Sequence, residues 1–135
     1  MSGDAPVKKR RILLVEDEPN VVELMEIFLS RRGYDIFNVV DGSLVIDKVR
    51  EIKPDLIILD IMLPKLNGFE VCGLLKSDPA LMRIPVLILS ALVQKTEIEM
   101  GIRMGADQYM TKPFHNAELL ANIEKLIAKA DGPGV

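Results

Sequence analysis

Five short apolar runs punctuate the chain, at residues 12–15, 34–40, 56–59, 86–89 and 108–111. Each is the length of a strand. Leu56-Ile57-Ile58-Leu59 is apolar without alternation, the pattern of a strand buried on both faces in a parallel sheet covered by helices. The second and fifth runs are more polar, which predicts sheet edges.

Between the runs, apolar positions recur at helical spacing. Leu119, Leu120, Ile123, Leu126 and Ile127 form one stripe of a final helix. A first helix is predicted from near Pro19 to Gly33, with Pro early and Gly at its close, carrying Val21, Leu24, Met25, Phe28 and Leu29 inward. Others are predicted over 43–52, 68–76 and 96–104. Gly101 lies inside the last of these, where glycine costs about 1 kcal/mol relative to alanine, so that helix is expected to be locally soft and to be the element that moves. Five alternations of strand and helix imply right-handed βαβ units and an α/β, doubly wound three-layer sandwich with a five-stranded parallel sheet and five helices. One domain is predicted over residues 10–130, with a flexible tail at 1–9 and a flexible tail or linker stub at 131–135.

Composition narrows the function. The 135 residues carry 17 Lys plus Arg against 20 Asp plus Glu, a formal charge of −3, and the pI is near 5.2. That balance argues against direct DNA or RNA binding. The one basic cluster, Lys8-Lys9-Arg10-Arg11, has no aromatic residue interleaved and reads as a solvated lead-in to the first strand. A single cysteine, Cys72, in an apolar stretch reads as a small core residue in a reduced compartment. Nothing approaches the roughly 20 apolar residues of a membrane span, and the first apolar run is followed at once by Glu16, Asp17 and Glu18, unlike a signal peptide. A cytoplasmic protein without membrane contact is expected.

In open parallel sheets, ligands bind beyond the carboxyl ends of the strands, where the winding order reverses. Glu16 and Asp17 follow the first strand, Asp60 ends the third, Ser90 the fourth and Lys112 the fifth. Three convergent carboxylates repel one another unless a cation neutralises them. Magnesium, which takes oxygen ligands from one or two carboxylates and a phosphate, fits Asp17 and Asp60 as direct ligands, with Glu16 acting through water or a hydrogen bond. An aspartate can attack a phosphoryl group to give an acyl phosphate, chiefly by positioning and charge neutralisation. The Lys112 ammonium and the Ser90 hydroxyl suit the transferred oxygens.

These residues, over about residues 11–130, resemble the receiver domain of two-component response regulators. Ile12-Leu13-Leu14-Val15-Glu16-Asp17-Glu18-Pro19 resembles its acidic-pair motif, and Asp60-Ile61-Met62-Leu63-Pro64 followed by Gly68 its phosphoacceptor loop. Leu89-Ser90-Ala91 resembles the hydroxyl motif and Tyr109-Met110-Thr111-Lys112-Pro113-Phe114 the lysine motif. Glu16 stands where many members have aspartate, and Ser90 where many have threonine.

The resemblance implies a flavodoxin-like strand order of 2-1-3-4-5 and a regulatory switch rather than an enzyme, catalysing only its own phosphotransfer and autodephosphorylation. Asp60 would receive the phosphoryl group from a sensor histidine kinase, a phosphotransfer protein or acetyl phosphate. The backbone carbonyl of Met62 would complete the metal site. Ser90 and Tyr109 would act as switch residues, altering the surface of the fourth helix, fifth strand and fifth helix for an effector protein or effector domain, in a monomer or a phosphorylation-dependent dimer. A cis Lys112–Pro113 bond is also a family feature.

Rival readings fit less well. Hydrolases of the haloacid-dehalogenase kind carry Asp-x-Asp after the first strand, whereas Asp60 follows the third and precedes Ile61 and Met62. No phosphate-binding glycine motif of a nucleotide site occurs. A receiver-like scaffold that is never phosphorylated would not need the full reactive set. His115 lacks metal-ligand neighbours and reads as a surface residue. Met100 and Met104 share a helical face and read as apolar filler. Met62 and Leu92 flank the path of an attacking water, which predicts slow self-dephosphorylation.

Overall fold

A computed structural model describes residues 9–63, 65 and 67–132. Pro64 of the phosphoacceptor-loop motif, Lys8, and most of both assigned tails lie outside the described residues. The elements run β1 Arg11–Val15, α1 Pro19–Arg31, β2 Asp35–Val39, a 3₁₀ turn Gly42–Leu44, α2 Val45–Ile52, β3 Leu56–Leu59, α3 Gly68–Ser77, β4 Val86–Ser90, α4 Lys95–Arg103, β5 Gln108–Thr111 and α5 Asn116–Ala130. All strand pairs are parallel, in the order β2-β1-β3-β4-β5. The two polar runs are the edges, as expected.

The unbroken apolar strands follow from coverage on both faces. Leu13, Val15, Ile57, Leu59 and Ile88 point toward α2 and α3, where they meet Val45, Val49, Val71, Cys72 and Leu75. Their strand neighbours Ile12, Leu14, Ile58, Leu87 and Leu89 point the other way, onto Met25, Leu29, Leu119, Ile123 and Ile127 of α1 and α5. Since side chains alternate along a strand, both registers must be apolar when both faces are dry.

Local chemistry sets the ends. Glu18 caps α1 by accepting from the Asn20 N–H, and Asn67 caps α3 by accepting from the Phe69 N–H. Two expectations are corrected. Leu24 does not face inward but is 68% exposed, and Val22 packs against the core instead. Relative to Met25, Leu24 is turned about 100° around the helix and Val22 only about 60° the other way. The helix expected from residue 43 is divided: Asp41 accepts from the Ser43 N–H and fixes a 3₁₀ turn before α2 begins.

The basic lead-in is also tied down rather than simply solvated. Arg10 pairs with Asp131 at 2.6 Å and Asp55 at 3.3 Å, and Arg11 Nη1 donates to the Ile52 carbonyl at 2.7 Å. Asp131, assigned to the C-terminal tail, is thus paired at the end of α5. Cys72 is buried, and burial pushes its thiol up to about 11. Among the described residues, no helix is long and apolar enough to cross a membrane.

Candidate functional site

The carboxyl ends of β1, β3, β4 and β5 bring Glu16, Asp60, Ser90 and Lys112 together. Glu16 continues β1: its N–H bonds to Val39 O at 3.1 Å, and Asn38 Nδ2 on β2 donates to the carbonyls of Leu14 at 2.9 Å and Glu16 at 3.1 Å. Those bonds hold the turn that carries the acidic pair. Asp60 extends β3 through its N–H to Val15 O at 2.9 Å. Lys112 is fixed to β4 by its N–H to Ser90 O at 2.8 Å.

Lys112 Nζ donates to Glu16 Oε1 at 2.7 Å and to Asp60 Oδ2 at 3.3 Å. The Glu18 N–H bonds to Glu16 Oε2 at 3.2 Å, and the Met62 N–H to Asp60 Oδ1 at 3.0 Å. Glu16, Asp60 and Ser90 are 1%, 7% and 0% exposed, whereas Asp17 is exposed at the mouth. One oxygen from each of Glu16, Asp17 and Asp60 lies within 4.8 Å of the other two. Three acids and one ammonium leave an excess of negative charge in an all-oxygen cluster.

The electrostatics are dominated by burial. Burial raises the Glu16 pKa, the hydrogen bond from Lys112 opposes this, and repulsion by Asp60 adds to it. For Lys112, burial pulls the ammonium pKa down, but Glu16 and Asp60 together outweigh it and the net shift is upward. Lys112 therefore stays charged at neutral pH.

Around this centre, the Leu92 N–H bonds to Ser90 Oγ at 3.1 Å, and Tyr109 Oη donates to Leu92 O at 2.8 Å. The Tyr109 ring packs against the core. The Lys112–Pro113 peptide is cis. The side chain of Met62 is 59% exposed and shares a shallow cleft with Asp17, Asn67 and Leu92. His115 is exposed at the start of α5, as expected. Of the methionine pair, Met104 packs against the core while Met100 is 38% exposed.

Sequence reasoning missed Asn38, which holds the acidic turn from β2, and Asn67, which caps α3 and lines the cleft beside Asp17. Asn67, directly before a helix, carried a capping signal. Asn38 carried none beyond being a polar residue in an apolar run.

The chain matches the response regulator receiver domain over residues 12–124. It belongs to that family. Among curated relatives, this receiver is 43% identical over 121 residues to the DNA-binding dual master transcriptional regulator RpaA of Synechocystis, covering 90% of this chain and 50% of that protein. It is 39% identical over 115 residues to the DNA-binding response regulator MtrA of Mycolicibacterium smegmatis, covering 85% and 49%. The receiver thus spans about half the length of these relatives. Their names describe DNA binding by the longer proteins, so the expectation against nucleic-acid contact gains no support from them. Among solved structures, the receiver domain of the sensor histidine kinase PA1611 from Pseudomonas aeruginosa PAO1 aligns with a TM-score of 0.82 at 29% identity, covering 90% of this chain and 99% of that one. That structure has a magnesium ion coordinated in its active site cleft.

Proposed function

We propose that Asp60 is the phosphoacceptor of this receiver. The observation that carries the reading is the placement of Asp60: a nearly buried carboxylate at a strand end, one oxygen held by the Met62 N–H and the other facing the Lys112 ammonium. The free lone pairs of Oδ2 attack phosphorus. The new O–P bond forms as the bond to the donor's leaving group breaks, and the electron pair departs with that group, which is a histidine imidazole or an acetate. Lys112 neutralises charge on the transferred oxygens, and the Ser90 hydroxyl turns from the Leu92 N–H to donate to one of them.

The all-oxygen cluster and its uncompensated charge fit magnesium. Asp17, Asp60 and the Met62 backbone carbonyl would hold it, with Glu16 acting through water. When bound, the ion supplies further neutralisation of the phosphoryl oxygens. The donor is a sensor histidine kinase or phosphotransfer protein in the cytoplasm. Movement of Ser90 and Tyr109 then alters the α4, β5 and α5 surface read by an effector protein or domain, in a monomer or a phosphorylation-dependent dimer.

Intact mass after incubation with acetyl phosphate and magnesium tests the reading. The native chain is expected to gain one phosphoryl group, Asp60→Asn none, and the native chain none when magnesium is chelated. Equal gain by Asp60→Asn would overturn it.

A second expectation concerns lifetime. The exposed Met62 side chain and the half-buried Leu92 side chain border the cleft through which water must reach the acyl phosphate. Replacing both with asparagine is expected to speed self-dephosphorylation about tenfold, equivalent to about 1.4 kcal/mol in the barrier. An unchanged decay rate would count against shielding by these side chains.

A further inference from the structure

The carbonyl of Glu16 lies one rung past the end of the β1–β2 ladder. At the start of that ladder the Asp35 N–H bonds to Arg10 O at 2.9 Å, and the register runs on until Val15 stands opposite Val39. Carried one rung further, the same spacing would bring the Asp41 N–H to Glu16 O. The chain leaves the sheet there instead, and Asp41 becomes the cap of the Gly42–Leu44 turn. The missing donor comes from a side chain: Asn38 Nδ2 reaches the Glu16 carbonyl at 3.1 Å and the Leu14 carbonyl at 2.9 Å. An amide nitrogen carries two hydrogens and can serve both acceptors, which an oxygen in its place could not.

What this donor holds is the peptide joining Glu16 to Asp17. Glu16 and Asp60 are buried, and protein groups donate to both carboxylates. Asp17 is exposed, and among the described residues nothing donates to its carboxylate. Its place in the cluster, with one oxygen within 4.8 Å of those of Glu16 and Asp60, is therefore set by the backbone from which it grows. The peptide before Glu16 is fixed by the Glu16 N–H bond to Val39 O at 3.1 Å, and the peptide after it by Asn38. We infer that Asn38 is a positioning residue for the metal site: by bonding the Glu16 carbonyl it aims the Asp17 carboxylate and so raises the affinity for magnesium. The inference rests on the reading of Asp17 as a magnesium ligand, and it adds a residue of the edge strand that sets how well that ligand is placed.

Asn38→Leu keeps the size of the side chain and removes both donors. Magnesium that binds the folded chain raises its thermal midpoint in a concentration-dependent way. From that dependence, Asn38→Leu is expected to bind magnesium about tenfold more weakly than the native chain, as loss of a partner outside the ligand set commonly costs. The magnesium concentration that gives half-maximal phosphorylation by acetyl phosphate is expected to rise by the same factor. A merely structural role would lower the midpoint in chelator and leave both magnesium dependences where they are, and that result overturns the inference.

Asp17→Asn separates the inference from the reading beneath it. Affinity lost in Asp17→Asn but kept in Asn38→Leu overturns the positioning role alone. Affinity kept in Asp17→Asn overturns Asp17 as a ligand, and the inference with it. If Asn38→Leu fails to fold, Asn38→Ser, whose hydroxyl is too short to serve both carbonyls, carries the same expectation, and native affinity in it overturns the inference.

Discussion

Lys112→Ala is expected to slow phosphorylation of Asp60 by acetyl phosphate by about 10²–10³-fold, the scale on which removal of one preorganised charge-stabilising donor acts. The side chain is the one cation within hydrogen-bonding distance of both Glu16 and Asp60 among the described residues. Its ammonium keeps its charge because the two acids outweigh the cost of burying it. Without it, charge arriving on the phosphoryl oxygens meets Glu16 and Asp60 with one neutralising group fewer.

The same substitution separates chemistry from folding through pH. The raised pKa of Glu16 means that its charged form is disfavoured in the folded state; this penalty is fully present above the folded pKa and is relieved as pH falls toward the unfolded value of 4.5. With Lys112 removed the penalty grows, so Lys112→Ala is expected to recover stability toward the native chain as pH falls from neutral toward 4.5, while its phosphorylation stays slow. Denaturant midpoints and phosphorylation rates measured over that range decide the point. A rate within about threefold of native would remove Lys112 from the proposed chemistry.

Gly68→Ala is expected to cost about 3 kcal/mol of stability, the upper end of what overpacking a dense interior costs. The added Cβ would lie 2.5 Å from Ile61 Cα, 2.8 Å from Asp60 O and 3.0 Å from Ile61 O. All three are backbone atoms, so no side-chain rotation relieves the contact. Either the start of α3 lifts, breaking the Gly68 N–H bond to Ile61 O at 3.0 Å, or the loop after Asp60 shifts and takes the Met62 N–H away from Asp60 Oδ1. Phosphorylation is therefore expected to fall together with the denaturant midpoint. A loss of unfolding free energy of less than about 0.5 kcal/mol would show that the loop yields more easily than its geometry implies.

The sheet was legible because its two dry faces demand apolar residues in both registers, which no solvated strand shows. The strand-end positions of Glu16, Asp60, Ser90 and Lys112 followed directly, since residues just past those runs must emerge at one edge. Less legible was anything decided by packing angle or by a side chain reaching backbone. Leu24 lies at the margin of the α1 stripe, where a small rotation decides between core and solvent. The 3₁₀ turn before α2 depends on the Asp41 carboxylate bonding to Ser43. Asn38 holds the acidic turn from a neighbouring strand, a long-range contact that local spacing does not encode. Gly101 shows the same limit: propensity marks it as weak helix, while its burial against the Tyr109 ring is visible only in the fold.

The acyl phosphate itself can be located. Reduction by borohydride after incubation with acetyl phosphate and magnesium converts a phosphorylated aspartate to homoserine, and peptide mapping then names the position. Homoserine at residue 60 alone is the expected result. Homoserine at Asp17 or another aspartate, with residue 60 unchanged, would contradict the account.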